Sequence, residues 1–405
     1  MTTLLDDARA LAGDLTDLRH RLHRHPELGL HLPRTQGAVL DALDGLGLEI
    51  TTGRSSTSVT AVLRGGAARG DGGDGGDRPV VLLRGDMDAL PVQEAVDVPY
   101  RSVVDGVMHA CGHDLHTTML AGAARLLADR RDQLAGDVVL MFQPGEEGHD
   151  GAAHMIAEGV LDAAGRRADA AFAVHVLSNL TRRGTVATRA GAIMAASDGL
   201  FVTVRGRGGH GSAPHAAKDP VPVACEMVLA LQTAMTRQLD PFAPAVLTVG
   251  TFHAGTQRNV IPETATFEAT VRTFDPAVRA VIARAARQVC EGVAAAHGVS
   301  VDVRYEQEYP VTVNDAAATR FALDVAAQLF GPDGALPMPN PLTGSEDFSR
   351  VVAQVPGAML FLGALVDGYD ESTAPSNHAP QAAFDDRVLP LGAALYAQLA
   401  VGRLG

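Results

Sequence analysis

The chain has 405 residues, too many for one ordinary hydrophobic core, so two domains are expected. Hydrophobic residues make up 46% and charged residues 20%, a soluble globular balance, and 33 basic against 47 acidic side chains give a net charge of −14. That acidity argues against nucleic acid or an anionic membrane as a partner, since both are held by clustered cations.

The first stretch, "MTTLLDDARALAGDLTDLRHRL", is acidic and amphipathic at helical spacing, without the apolar core of a secretory signal. No apolar run approaches the length of a membrane span. The Gly/Asp-rich run at 65–79 cannot bury a core and predicts a disordered surface hairpin loop. "PVVLLRGD", "DVVLMFQPG" and "DAAFAVHV" are apolar runs ended by Gly, Pro or a polar residue, and predict buried strands. Between them, 114–130 places Leu115, Met119, Ala123, Leu126 and Leu127 near one face of a helix. Strand, helix, strand alternation implies α/β architecture, a mostly parallel twisted sheet flanked by helices.

Over 194–305 the rhythm changes to β-α-β-β-α-β, the ferredoxin-like α+β pattern. It predicts an inserted domain, with 1–193 and 306–405 forming the sheet domain around it. The Pro/Gly-rich run at 330–344 reads as a connection. Three cysteines, Cys111, Cys225 and Cys290, are an odd number at irregular spacing, which fits a reducing cytoplasm better than a disulfide framework.

Residues of ligand type fall where the strands end. "RGDMDALP" carries Asp86 and Asp88, "MHACGHDLH" sets Cys111 two residues before His113, "FQPGEEG" supplies Glu146 and Glu147, "AVHV" supplies His175, and "NHAP" supplies His378. Ligands of parallel α/β sheets gather beyond the carboxyl ends of strands. Each residue alone has a plain structural reading: a buried Cys, a core His, a turn-capping Asp, a solvated acidic pair. Together they offer a thiolate, imidazoles and a carboxylate, the donors a borderline-soft cation needs. Five such ligands are one too many for a closed tetrahedral site. They imply two cations sharing bridging groups, or one open catalytic cation. The adjacent glutamates allow a division of labour, one on the metal and one as general base.

The pieces "LHRHPELG", "RGDMDALP", "MHACGHDLHTTMLAGAA", "VVLMFQPGEEG", "AVHV", "GRGGHGSAPHAAKDPV", "NVIPETATFEATVRTFD", "SEDFS" and "NHAP" resemble, in order, the aminoacylase, hippurate hydrolase and indoleacetyl-amino-acid hydrolase group of metal-dependent amidohydrolases. The resemblance implies a catalytic domain and an inserted lid that also dimerises. It implies that Cys111, His113, Glu147, His175 and His378 bind two divalent cations per subunit, zinc or manganese. Glu146 would be the general base, and Asp88 would orient a metal-binding histidine. His210, in "GGHGSAPH", would reach the neighbouring subunit's site and hold the developing oxyanion. Asn259 and Arg272 would meet the substrate's carboxylate. Asp86 stands where the wider superfamily has a metal-binding histidine.

The remaining histidines are assigned to packing or solvent. His20, His23 and His25 close the first helix, and His116 stands behind the ligands. The implied reaction is hydrolysis of an N-acyl amino acid to a carboxylic acid and a free amino acid. A dipeptidase, a carboxypeptidase or a deacetylase of an amino-acid precursor would use the same residues. A non-catalytic ligand-binding protein would lack the base or a ligand, and this sequence has both.

Overall fold

The computed structural model describes residues 3–67 and 78–405; residues 68–77 of the Gly/Asp-rich run lie outside the described residues. Two units share the chain. One takes the chain up to Ile193 together with Val313–Asn340 and Asp347–Gly405, and the other takes Met194–Thr312 and Pro341–Glu346.

In chain order the first unit opens with helices α1 (Leu4–Ala10), α2 (Ala12–Arg24) and α3 (Pro33–Leu43). Strands β1 (Glu49–Thr52), β2 (Val59–Leu63) and β3 (Val80–Asp86) follow, then helix α4 (His113–Ala128), strand β4 (Asp137–Gln143) and helix α5 (Gly151–Ala157). Strands β5 (Ala170–Leu177), β6 (Val186–Thr188) and β7 (Gly191–Met194) lead to the second unit. There the chain forms β8 (Ala196–Arg205), β9 (Gly209–His210), α6 (Pro220–Gln238), β10 (Ala245–Ala254), β11 (Val260–Ile261), β12 (Thr264–Thr273), α7 (Pro276–His297) and β13 (Ser300–Gln307). Beyond β14 (Thr312–Asn314) come α8 (Ala316–Phe330), β15 (Ala335–Pro337), α9 (Ser349–Val352), β16 (Gly357–Gly363) and α10 (Leu389–Leu404).

The large sheet has the order β1-β2-β4-β3-β5-β16-β6-β15, and its middle strands β4, β3, β5 and β16 run parallel. These four are buried along their whole length, as their unbroken apolar runs require. After β3 the chain goes to β4 on one side, and then to β5 on the other. That makes the carboxyl end of β3 a topological switch point, where a crevice opens.

The crevice has a visible cause. Strands β3 and β5 stay in register only as far as Arg84 opposite Ala173, and beyond that pair they part. Side chains from two helices fill the fork. The Tyr396 hydroxyl of α10 accepts from Val174 N at 2.8 Å and donates to Arg84 O at 2.5 Å. From α4, Thr117 Oγ1 donates to Asp86 O at 2.7 Å, and His116 Nε2 accepts from Val176 N at 2.7 Å. The backbone groups that lose strand partners are thereby satisfied.

Helix α4 differs from the one-sided helix its spacing predicts: only Arg125 and Ala128 escape burial. It packs against β3, β4 and β5 and also against α2, α3 and α10. Small residues make the contact with α10 possible. A Cβ on Gly392 would fall 1.9 Å from Met119 Sδ, so α10 approaches α4 more closely than any side chain there would allow. The 330–344 segment also departs from expectation, since it carries β15, paired in parallel with β6.

In the second unit the sheet order is β10-β12-β8-β13, antiparallel throughout, with α6 and α7 sharing its apolar core. This order is that of the ferredoxin-like fold.

Tyr396→Phe keeps the ring but removes the bridging hydroxyl. It should lower stability by about 1–3 kcal/mol, the cost of leaving buried backbone groups unsatisfied. Urea unfolding should show a lower midpoint with an unchanged slope.

Candidate metal centre

Three strand ends and two loops converge in the first unit. Asp86 closes β3 and Asp88 follows it, Glu146 and Glu147 follow β4, and His175 lies within β5. Cys111 precedes α4 and His113 opens it. The residue between them, Gly112, has φ +88°, and a Cβ there would sit 2.4 Å from Val176 Cγ2. Only glycine lets the thiol and the imidazole turn toward β5 together. His378 is one of two non-glycine residues with positive φ among those described, at 71°, and its N–H is fixed to Ala110 O at 2.9 Å. Asn377 beside it donates to Cys111 O at 3.1 Å and to Val176 O at 3.0 Å, and its Oδ1 accepts from Ser178 N at 3.0 Å. The strained loop is held by these bonds.

The donor atoms face a common space. Cys111 Sγ lies 3.4 Å from His175 Nε2 and 3.2 Å from His378 Nε2. Glu147 Oε1 stands 3.2 Å from His378 Nε2 and 4.0 Å from His113 Nε2, out of hydrogen-bond alignment with both. Neither ring nitrogen of His113 has a hydrogen-bond partner, although both are buried. Tetrahedral ligands around a zinc-sized ion stand roughly 3.3–3.8 Å apart, given bonds of about 2.0–2.3 Å. Two donor groups, Cys111–His113–His175 and Cys111–Glu147–His378, each have their ligand atoms within 4.8 Å of one another, and they share the sulfur. Glu146 offers a carboxylate oxygen within 4.8 Å of the donor atoms of His113 and Glu147. The residues present therefore fit a divalent cation, and the shared thiol suits a pair.

Hydrogen bonds to main chain decide which imidazoles can take part. His175 Nδ1 donates to Val176 O at 2.8 Å, which leaves Nε2 with its lone pair facing Cys111. His116 is the reverse case. The Val176 amide can only donate, so His116 Nε2 is its acceptor, and Nδ1–H is directed to Asp86 Oδ1 at 2.5 Å. With both nitrogens engaged, His116 is closed to a metal despite lying near Asp86 and His113.

Asp88 lies 3.5 Å from His113 Nδ1 and accepts from Glu146 N at 2.9 Å and Glu147 N at 3.0 Å. One carboxylate thus supports the ring and the glutamate turn together. Asp86 accepts Arg84 at 2.5 Å, and Arg84 reaches Asp347 at 2.8 Å and Gln143 at 2.9 Å, all of them buried.

Charge follows this layout. Burial and neighbouring His116 hold His175 well below the ordinary imidazole range, so it stays neutral. Burial would also depress His113, but Asp86 and Cys111 outweigh it and hold that ring well above the usual range. Cys111 and Glu147 push His378 up to about 10. Where anions hold imidazoles protonated, a cation can displace the protons.

His210, Asn259 and Arg272 belong to the second unit. The first two are neighbours: β9 pairs with β11, and Gly211 N donates to Asn259 O at 2.8 Å. Ser212 N donates to His210 Nδ1 at 3.2 Å, so the exposed His210 presents Nε2–H as a donor. Arg272 is not beside them. It lies near the far end of β12, about 26 Å along the strand from Thr264 at ~3.3 Å per residue. Its guanidinium donates to Ser197 Oγ at 2.8 Å and Thr270 Oγ1 at 2.6 Å. Sequence reading missed Asn377, although it stands next to His378 in "NHAP". It also missed that Arg19, His23 and Glu94 are buried close to α4.

Residues 82–401 match peptidase family M20/M25/M40. The chain belongs to this family. It is 36% identical to thermostable carboxypeptidase 2 of Saccharolobus solfataricus, over 98% of this chain and 97% of that one. It is likewise 36% identical to hippurate hydrolase of Campylobacter jejuni, over 98% of both chains. A Bacillus subtilis structure described as a dinuclear metal binding peptidase of the M20 family superposes with a TM-score of 0.80 at 31% identity, covering 98% of this chain and 99% of that one. With the donor cluster described above, the chain is a metal-dependent amidohydrolase of this family.

Metal uptake by metal-free protein should release protons at pH 8, because His378, held at about 10, must lose one to offer Nε2. Affinity should accordingly weaken as pH falls. An indicator dye in weakly buffered solution reads the release, and Cys111→Ser should reduce it.

Proposed function

We propose that the chain hydrolyses the amide bond of N-acyl amino acids, with Cys111, His113, Glu147, His175 and His378 holding two divalent cations, zinc or manganese. The observation that carries this reading is the cluster of donors around buried Cys111, His113 and His175, which face one space and leave His113 without hydrogen-bond partners. Bound cations would polarise the acyl carbonyl and lower the pKa of a water molecule there.

The chain's own groups supply the proton transfers. Glu146, its backbone fixed by Asp88, takes the proton of the attacking water and passes it to the leaving nitrogen. Asp88 keeps His113 in one orientation, so that Nε2 faces the site. His210 presents an N–H suited to a developing oxyanion. Asn259, a neighbour of His210, would meet the substrate's carboxylate. Arg272 would share that task only after releasing Ser197 and Thr270.

Hippurate is an N-acyl amino acid, and the hippurate hydrolase relative supports this substrate class. The carboxypeptidase relative supports a second reading, a peptide bond cleaved by the same groups. The three free thiols fit work in a reducing cytoplasm, where Cys111 keeps its ligand form. No helix among the described residues is long and apolar enough to cross a membrane.

A homodimer through the inserted unit is part of the proposal. Strand β10 is an edge of its sheet, with Val246 and Phe252 exposed, and Leu229 on α6 is 70% exposed. Leu229→Glu should then shift the protein to a monomer in light scattering.

Glu146→Gln should keep fold and metal content while lowering turnover by at least ~100-fold, as expected for loss of a general base. A panel of N-acetyl, N-benzoyl and indoleacetyl amino acids with dipeptides, given to protein reloaded with zinc or manganese, reads the substrate side. Turnover of dipeptides alone would favour the peptidase reading, and undiminished turnover by Glu146→Gln would remove Glu146 from its role.

A further inference from the structure

Helix α2 buries an arginine and a histidine on the face that packs into the core. Leu15, Leu18, Arg19, Leu22 and His23 are all buried, and Arg19 is only 1% exposed. Four residues apart, Arg19 and His23 lie one above the other on one face. Packing α2 on α4 needs only apolar side chains, so two buried charges call for another explanation.

Both converge on a single oxygen. Arg19 Nε donates to Asp114 Oδ2 at 2.8 Å, and His23 Nδ1 donates to the same atom at 2.8 Å. Asp114 Oδ1 has no hydrogen-bond partner, so the grip on this carboxylate passes through that one atom. Asp114 directly follows His113 in the first turn of α4, where Gly112 at the N-cap position provides no side-chain cap. The turn that carries the ligand is thus held from a helix some ninety residues earlier in the chain rather than by a local cap.

His23 has a second arm. Its Nε2 donates to Glu94 Oε1 at 3.1 Å, and Glu94 Oε2 accepts from Ser102 N at 2.7 Å. The next residue, Ala95, donates its N–H to Pro380 O at 2.8 Å, two residues beyond His378. One imidazole therefore ties the turn bearing His113 to the segment joined to the loop bearing His378. Both of its nitrogens donate to carboxylates, the bonding of an imidazolium. Arg19 in turn anchors to Asp386 at 2.9 Å, with Tyr100 packed 4.5 Å from its guanidinium carbon.

We propose that Arg19 and His23 are positioning residues of the metal centre, acting through Asp114 and Glu94 to set the spacing between the Cys111–His113 turn and the His378 loop. This rests on the metal-centre reading given above. The role differs from simple packing because the clamp joins two ligand-bearing segments that are far apart in sequence.

Cobalt(II) tests this without turnover, since a thiolate ligand gives a charge-transfer absorption band. Full-length His23→Leu should bind cobalt at least ~10-fold more weakly in competition with a chelating indicator, with an altered band, as outer-shell losses typically do. His23→Gln, which keeps a donor, should recover part of both. Val39→Ala, which truncates a fully buried residue of α3, should lower thermal stability and leave band and affinity unchanged. If His23→Leu does not fold, Asp114→Asn, nearly isosteric, must show the same loss. Folded His23→Leu or Asp114→Asn with wild-type band and affinity would overturn the proposal, as would an equal change in Val39→Ala. A wild-type spectrum without a thiolate band, indifferent to Cys111→Ser, would instead overturn the metal-centre reading beneath it.

Discussion

The parting of β3 from β5 beyond Arg84 is the constraint on which the site depends. Two parallel strands that stayed paired to their ends would leave no space between Asp86 and His175. Once they separate, each exposed amide and carbonyl needs another partner, because burial without one costs about as much as a lost hydrogen bond. Tyr396, Thr117 and His116 supply those partners and also become the back wall of the crevice. His116 shows how closely the two tasks are joined. The proton arrangement that satisfies Val176 is the one that directs its other nitrogen to Asp86, and it excludes the ring from binding a cation.

A second theme is the handling of buried charge. Asp86, Asp88, Asp114, Asp347, Arg19 and Arg84 are all nearly inaccessible to solvent. Such groups persist only when paired and hydrogen-bonded, and their arrangement here is a chain of pairs rather than a pool. Arg84 joins Asp86 to Asp347, and Gln143 adds two further bonds to Asp347, at 2.8 and 2.7 Å. On the other flank, Burial opposes ionisation of Asp114, yet Arg19 and His23 hold it well below the usual carboxylate range. The donor cluster is therefore flanked by charged groups that are already paired.

Much of this was legible in the sequence because apolar runs end in polar residues where a sheet ends. Strands β3, β4 and β5 of the large sheet could be read from their apolar runs, and the change of rhythm at 194 from its alternation. Glu147 and His175 stand at such endings, whereas Cys111, His113 and His378 were collected by residue type and by the family resemblance. What was not legible has physical reasons. Helix α4 has both strands and helices as neighbours, and a spacing pattern cannot distinguish small apolar residues facing a second helix from a weakly polar surface. "RHRLHRHPELG" reads as the close of a helix and its packing, since nothing local reveals a buried carboxylate waiting for Arg19 and His23. Tyr396 looks like any residue of an apolar terminal helix until strands more than two hundred positions earlier are brought beside it. The contacts of Arg272 depend on its strand neighbours in three dimensions.

The two donor groups are unequal in depth. Cys111, His113 and His175 are buried, whereas the His378 side chain in the second group is 53% exposed. Depth governs how readily water and competing ligands reach a coordination sphere. An ion held by the buried group would exchange slowly, while one held by Glu147 and His378 would be open to the medium on one side. In the proposed dinuclear site, the inner position would hold its ion the longer, and the outer one would follow the metals the surroundings supply.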